Sequence, residues 1–399
     1  MKACGLIVEY NPFHNGHVHH VEEARKKTDA SIIIAVMSGS FLQRGEPAFI
    51  DKHHRTKAAL QSGVDIVVEL PYAYAVQSSN LFAQGAVQIL HALNVAHICF
   101  GSESGDTNAM NKAVTQYILH ESLFSATLRK HIQKGLSYPK ATEKGYEAIG
   151  MDMIDMKQPN NILGFHYIKT ILKNNLPIEP VAIQRLHNHY HDESIEHTIA
   201  SATSIRKSAL RTNGLNEVKQ TIPPASFDAL HTYKTITNTW HSWEAYFPYL
   251  YYKLITTETK ALQELHSVDE GIEHRLKKYI HKANNFEHFV DAIRTNRYTT
   301  ARIQRMCTHI LTNTTKQEID TFISEPIPYI RLLGMNQTGQ QYIRQIKKQL
   351  NIPIISNLNK KTASLLYLDE KTTNVYYSIF SPKIRESLRK QEFQLPLIL

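Results

Sequence analysis

Gly5-Leu6-Ile7-Val8-Glu9-Tyr10-Asn11-Pro12-Phe13-His14-Asn15-Gly16-His17, continued by Val18-His19-His20, is the stretch that decides how this chain folds. Ala3 to Tyr10 is an apolar run that predicts a buried first strand. Asn11-Pro12 stops it, and Val18 to Lys27 carries the pattern of a helix. His14 and His17 therefore fall at or just before a helix N-terminus, where unbonded backbone N–H groups and the macrodipole favour an anion. Gly16 allows a ring or a phosphate to approach the backbone closely. A pair of surface histidines capping a helix is the plainer alternative, and the strand–turn–helix context favours the anion site over it.

Working outward, Ser31 to Met37 is a continuous β-branched run closed by Ser38-Gly39-Ser40, Ile50 to Gln61 reads as a helix, and Asp65 to Leu70 as a third strand. Leu81 to Leu93 is helical, and Ala96 to Phe100 is a fourth strand ending at Gly101. Runs apolar on both faces and spaced by helices predict an α/β fold with a parallel sheet covered on both sides. Ligands of such sheets bind beyond the strands' carboxyl ends, where His14, His17, Ser38, Gly39 and Gly101 all fall. Residues from about 107 to 175 read as a helical insertion, and Pro180 to Gln184 as a returning strand. Pro223-Pro224 marks the expected domain boundary, giving a catalytic region 1–222 and a mainly helical region 223–399. Short β-like runs are expected near its end, at Ile352 to Ile355 and Val375 to Ile379.

The chain has 399 residues, too many for one ordinary core, and 45 basic against 36 acidic side chains leave a formal net charge of +9. That excess suits a polyanionic partner, although a merely basic enzyme would show it too. Cys4, Cys99 and Cys307 are odd in number and widely spaced, which predicts a reducing compartment and no disulfide. With no leader-like N-terminus and no run of membrane-spanning length, the expected location is the cytoplasm. His187, His189, His191 and Asp192 have metal-binding residue types, but no second cluster supports them and no metal ligand is assigned.

A second anion-binding element is expected at Ser201-Ala202-Thr203-Ser204-Ile205-Arg206. Ser201 or Thr203 can cap the following helix, while Arg206, one turn in, can fork onto a phosphate. Taken alone, this is an ordinary helix start. The two motifs in this order resemble the HxGH nucleotidyltransferase superfamily, with Ala202 standing where a hydroxyl residue is common. The longer stretches Met37-Ser38-Gly39-Ser40-Phe41-Leu42-Gln43-Arg44-Gly45-Glu46-Pro47-Ala48 and Gln158-Pro159-Asn160-Asn161-Ile162-Leu163-Gly164 resemble, together with the opening stretch, the bacterial tRNA(Met) cytidine acetate ligase family.

That resemblance implies a Rossmann-like catalytic domain that uses ATP, Mg²⁺ and acetate to form N4-acetylcytidine at the wobble position of elongator tRNA(Met). It maps an ATP site onto Ile7 to His20, Gly101, Asn160 and Arg185. By chemistry alone Asn160 could read an adenine edge or cap a helix after Pro159, and Arg185 could reach a phosphate or simply face solvent. His14, His17 and Arg206 are the expected catalytic residues, stabilising charge at the α-phosphate and holding the leaving phosphates. His19-His20 and His53-His54, read without the family, are surface residues. In the helical half, Arg294, Arg297, Arg302 and Arg305 surround Tyr298, a set that could present guanidinium groups and a stacking ring to RNA, or be a solvated basic face. Two rivals remain at this point: a small-molecule adenylyltransferase, and a non-catalytic RNA-binding protein with a vestigial nucleotide site. No protein partner is evident.

Overall fold

The computed structural model describes residues 1–185, 200–211 and 214–399. Five strands run parallel in the order β5 (Glu179–Gln184), β4 (His97–Ser102), β1 (Ala3–Val8), β2 (Ile32–Ser38), β3 (Ile66–Leu70). The anticipated parallel sheet is there because β1 and, up to Met37, β2 carry no polar side chain on either face and can pair only where both faces are covered. Leu6 sits between Ala35 and Cys99 in register, so β1 is the centre of the parallel segment.

Alternate residues feed two cores. Cys4, Leu6, Val8, Ile33, Ala35 and Met37 face the helices Asn15–Thr28 and Lys52–Gln61 and much of the chain after residue 223. Ala3, Ile32, Ile34, Val36 and Ile98 face the helix Ser79–Ala92 and the helical insertion, whose helices are Thr107–Leu119, Glu121–Gln133, Tyr138–Ala148 and Pro159–Lys173. This two-sided burial leaves the edge of β3 to be closed.

The closure comes from far along the chain. β6 (Ile330–Met335) pairs antiparallel with β3, and β7 (Ile354–Ile355) and β8 (Leu397–Ile398) pair parallel with β6, so the sheet has eight strands among the described residues. Three expectations need correction here. Ile330–Met335 lay within a stretch read as helical, yet its apolar run completes a buried edge. Val375 to Ile379, read as β-like, instead ends the helix Tyr367–Tyr376 and forms a 3-10 turn, because its tyrosines pack on the helical side of the core. His53 and His54, expected at the surface, are half-buried in pairs with Glu392 (3.0 Å) and Asp51 (2.8 Å).

Arg55, 1% exposed, gathers the ends of the strands. Its guanidinium donates to Glu9 O (2.7 Å), Ser38 O (2.9 Å), Gly39 O and Ile50 O (3.1 Å). These carbonyls lie where β1 and β2 diverge and the ladder can no longer satisfy them. Replacing Arg55 with Met is expected to lower the unfolding free energy by about 3–5 kcal/mol, the range for removing one partner from a buried charged network. Arg55→Lys keeps the charge but loses the fork, and should recover only part of that loss. Urea unfolding of the two variants checks this; a near-native midpoint for Arg55→Met would remove Arg55 from this role.

Candidate functional site

The first strand ends at Tyr10, whose backbone turns into the left-handed region (φ 49°), and His14 caps the helix Asn15–Thr28 from an extended conformation. The helix thus begins at Asn15, three residues before the sequence pattern placed it. His14 N donates to His17 Nδ1 (3.2 Å), and the two imidazoles stack with centroids 3.7 Å apart. With Nδ1 of His17 accepting, the proton of the neutral ring belongs on Nε2. His14 Nδ1 is buried and has no partner among the described residues. Burial, then the charges of Arg185 and Arg206, push the His14 pKa down to about 3. Burial lowers His17 well below the usual value and takes His20 down to about 4. All three rings are neutral at pH 7.

The second motif meets the first. Ser201 caps the helix Ala202–Ala209 by accepting from Ser204 N (3.1 Å), which decides between Ser201 and Thr203 as the cap. Arg206 reaches back to Asn11 O (2.8 Å) and pairs with Glu46 (3.2 Å), while Thr203 Oγ1 lies 3.5 Å from its Nη2. Both helices direct their N-termini at one cleft of about 580 Å³.

Of the anticipated nucleotide segment, Ile7, Val8, Glu9, Tyr10, Asn11, His14, Gly16, His17, His19 and His20 line this cleft, with Gly101, Asn160, Arg185, Ser201, Thr203 and Arg206. Pro12, Phe13, Asn15 and Val18 are not among its lining residues. Phe13 packs against Tyr10 and His17, Val18 joins the core, and Asn15 donates to Thr221 O and Gln220 O. His19 and His20 are half-buried at the cleft, so the surface reading made without the family does not hold. The cap of the helix Pro159–Lys173 is Gln158, not Asn160. Asn160 instead donates to Glu103 Oε1 (2.7 Å) and holds its carbonyl oxygen 3.5 Å from Arg185 Nη1. Arg185 lies over Gly101, where a Cβ would sit 3.4 Å from its Cγ.

Sequence reasoning put Ser38 and Gly39 at the ligand edge and gave no role to Leu42, Gln43, Arg44 and Glu46, yet it is these four, and not Ser38 or Gly39, that line the cleft. Glu9 accepts from Gln43 N (2.7 Å), and burial pushes its carboxyl up against that hydrogen bond. Gly45, at φ 85°, presses against the backbone of Gln304 and Arg305, and its carbonyl accepts from Thr308 Oγ1 (2.7 Å) and Trp243 Nε1 (3.0 Å). No local pattern reveals such a contact, because its two sides lie far apart in the chain.

The five residues expected to meet RNA are divided by the fold. Tyr298 is 4% exposed, donates to Asp269 O and lies under the Arg302 guanidinium, so its ring has no face free to stack on a base as expected. Arg305 lines the nucleotide cleft rather than the outer helix face. Arg297 is exposed and 3.8 Å from Glu270. Arg294 borders a second groove, with Ser137 and Pro139 of the insertion opposite. His187, His189, His191 and Asp192 lie outside the described residues; among those described, no group of three or more His, Cys, Asp or Glu is placed to hold a metal ion. The three cysteines are free and buried, and no helix among the described residues is long and apolar enough to cross a membrane.

Residues 1–392 match the family model of the HIGH Nucleotidyl Transferases. A tRNA(Met) cytidine acetate ligase of Oceanobacillus iheyensis is 46% identical over 402 residues, covering 100% of both chains. One of Anoxybacillus flavithermus is 44% identical, with 99% of each chain covered. Among solved structures, apo Thermotoga maritima TmcAL superposes with a TM-score of 0.92 at 30% identity over 100% of both chains, and its form bound with alpha-thio ATP with 0.89. This chain therefore belongs to the HIGH nucleotidyl transferase family, within the group of the tRNA(Met) cytidine acetate ligases.

Proposed function

We propose that the protein is an ATP-dependent ligase that joins acetate to N4 of the wobble cytidine of elongator tRNA(Met). The observation that carries this reading is the convergence of two helix N-termini, a stacked histidine pair and Arg206 on one cleft that also admits Arg305 from the helical half. An acetate oxygen attacks the ATP α-phosphate in line, and pyrophosphate leaves as the bond between the α-phosphorus and its bridging oxygen breaks. The cytidine N4 then attacks the acetyl carbon, AMP departs with the electrons of the cleaved C–O bond, and N4 loses a proton. Acetate needs this mixed anhydride because, unactivated, it has no adequate leaving group.

The roles follow from the site. His14 and His17, kept neutral by burial, offer N–H donors at the end of a helix. An incoming triphosphate favours their protonated forms, so their stabilising charge grows where the transition state needs it. Arg206 exchanges its Glu46 contact for the leaving phosphates. Ser201 and Thr203 place their helix N-terminus toward the same group. Asn160, Arg185 and Gly101 form the wall for the nucleoside. Glu46, a hard oxygen donor beside Arg206, fits the single carboxylate with which Mg²⁺ is commonly held alongside substrate phosphates. When bound, that ion neutralises phosphate charge. We assign residues 1–222 to this chemistry and cations of 223–399, the exposed Arg297 and the half-buried Arg302 among them, to RNA contact.

His14→Ala and His17→Ala are each expected to slow acetate-dependent exchange of labelled pyrophosphate into ATP by about 10²–10³-fold, the loss typical of one transition-state donor. Near-normal exchange in a folded double variant would overturn the assignment. The neutral state of His14 has a second consequence. Below its unfolded pKa of about 6.5 the unfolded chain takes up a proton that the folded chain refuses until about pH 3, so stability falls as pH drops. His14→Asn should therefore lose about 2 kcal/mol less than the parent between pH 7 and pH 5 in urea unfolding. For the reaction itself, labelled acetate, ATP and Mg²⁺ should place label on cytidine of elongator tRNA(Met), read by mass spectrometry. Label absent from cytidine, or entering equally without ATP, refutes the ligase; exchange without transfer would point to a small-molecule adenylyltransferase instead.

A further inference from the structure

Arg305 is carried by the helix Thr300–Leu311, more than 280 residues along the chain from His17, yet it lines the same cleft. The backbone packing of Gly45 against Gln304 and Arg305 seats that turn of helix beside the loop bearing Arg44. Among the described residues no carboxylate, carbonyl or ring pairs with the Arg305 guanidinium. Its charged neighbours are Arg44 and Arg302, which, after burial itself, help push its pKa down to about 10. A desolvated cation surrounded by like charge is costly unless a ligand brings the counter-charge.

The surrounding cations indicate which ligand. Arg302, whose charge acts on Arg305, donates to the backbone oxygen of Arg297 (3.1 Å), and the exposed Arg297 side chain lies 3.8 Å from Glu270, so positive charge extends from Arg305 through Arg302 toward the surface. A free small anion would need no such approach, and the triphosphate already has Arg206 and two helix N-termini. A nucleotide of a polyanion that must enter the cleft carries its backbone phosphates past these cations. The cytidine must do so, because its N4 has to reach the acyl carbon held at His14 and His17.

We propose that Arg305 binds the backbone phosphate of the nucleotide being acylated and so positions that nucleotide in the cleft. This rests on the ligase reading above. Arg305 is a positioning residue here, since it contacts the RNA beside the reacting base rather than the reacting atoms.

Arg305→Gln tests it, with Arg305→Lys as the conservative variant. The KM for tRNA in acetyl transfer should rise about tenfold for Arg305→Gln, the loss typical of one charged hydrogen bond, against less than threefold for ATP and acetate in pyrophosphate exchange. The slope of log affinity against log salt for tRNA binding should fall by about one unit, and Arg305→Lys should restore most of both. The position is tested with anticodon stem-loops carrying one neutral methylphosphonate. Substitution beside the target cytidine should weaken binding to the parent protein but not further weaken binding to Arg305→Gln, whereas remote substitutions should affect both equally.

A tenfold rise for ATP or acetate would overturn the proposal in favour of the triphosphate or the carboxylate. Unchanged tRNA KM and salt slope, or additive methylphosphonate losses, would also overturn it. If the parent protein shows no acetate-dependent exchange, it is the ligase reading that fails, and the stem-loop binding still decides the role of Arg305. Should Arg305→Gln not fold, as circular dichroism would show, Arg305→Lys and the stem-loops carry the test.

Discussion

One buried arginine holds together the edge on which the site is built. A parallel sheet ends with strands spreading apart, and the last carbonyls of each strand lose their ladder partners just where a ligand must be received. Arg55 donates to four such carbonyls from the loops after β1 and β2. A guanidinium suits this because it has several donors in a rigid fork, whereas water would fill the space and leave the loops free to move. With the carbonyls of Glu9, Ser38 and Gly39 tied to one point, the turn that delivers His14 and the loop that delivers Arg44 and Glu46 keep a fixed spacing.

The same constraint explains why the halves of the chain share one body. β3 would be an unpaired edge without β6, and the face of the sheet beneath Ala35 and Met37 would lie open without the helices after residue 223. The joint is charged as well as apolar. Lys52, 2% exposed, pairs with Glu69 of β3 (2.8 Å) and with Glu392 near the C-terminus (3.0 Å), and Arg331 of β6 donates to the Glu392 carbonyl (3.0 Å). Such a network is stable only when every member is present, so it ties the last helix to the sheet in one register. The contact of Gly45 with Gln304 and Arg305 does the same for the cleft itself, and through it the helical half contributes a wall to the cleft.

The electrostatics of that cleft suit a site that stays receptive until substrate arrives. Burial first, and then the charges of Arg185 and Arg206 at His14, keep the imidazoles of His14 and His17 neutral. Fixed positive charge of this kind favours an anion, while a titratable ring responds to the charge that an anion brings.

The sequence by itself determined the parallel sheet, its order of strands and helices up to β5, and the placement of His14, His17, Ser201 and Arg206 at strand ends and helix starts. These features are local: apolar runs, breakers and caps act within about ten residues, and a continuous apolar strand has few ways to be buried. The family resemblance added Asn160 and Arg185, which lack any decisive local signal of their own, and gave a nucleotide role to Gly101, already placed at the carboxyl edge of the sheet by the strand pattern. Only the tertiary structure decided the rest. Ile330–Met335 is a strand because β3 needs a partner, Val375 to Ile379 turns helical because its tyrosines pack beside other helices, and Tyr298 is a core residue because Asp269 O receives its hydroxyl. Arg305 faces the cleft because a glycine more than 250 residues earlier admits its helix. Each of these depends on which distant surfaces meet, and pairings at that separation leave no periodic trace in the chain.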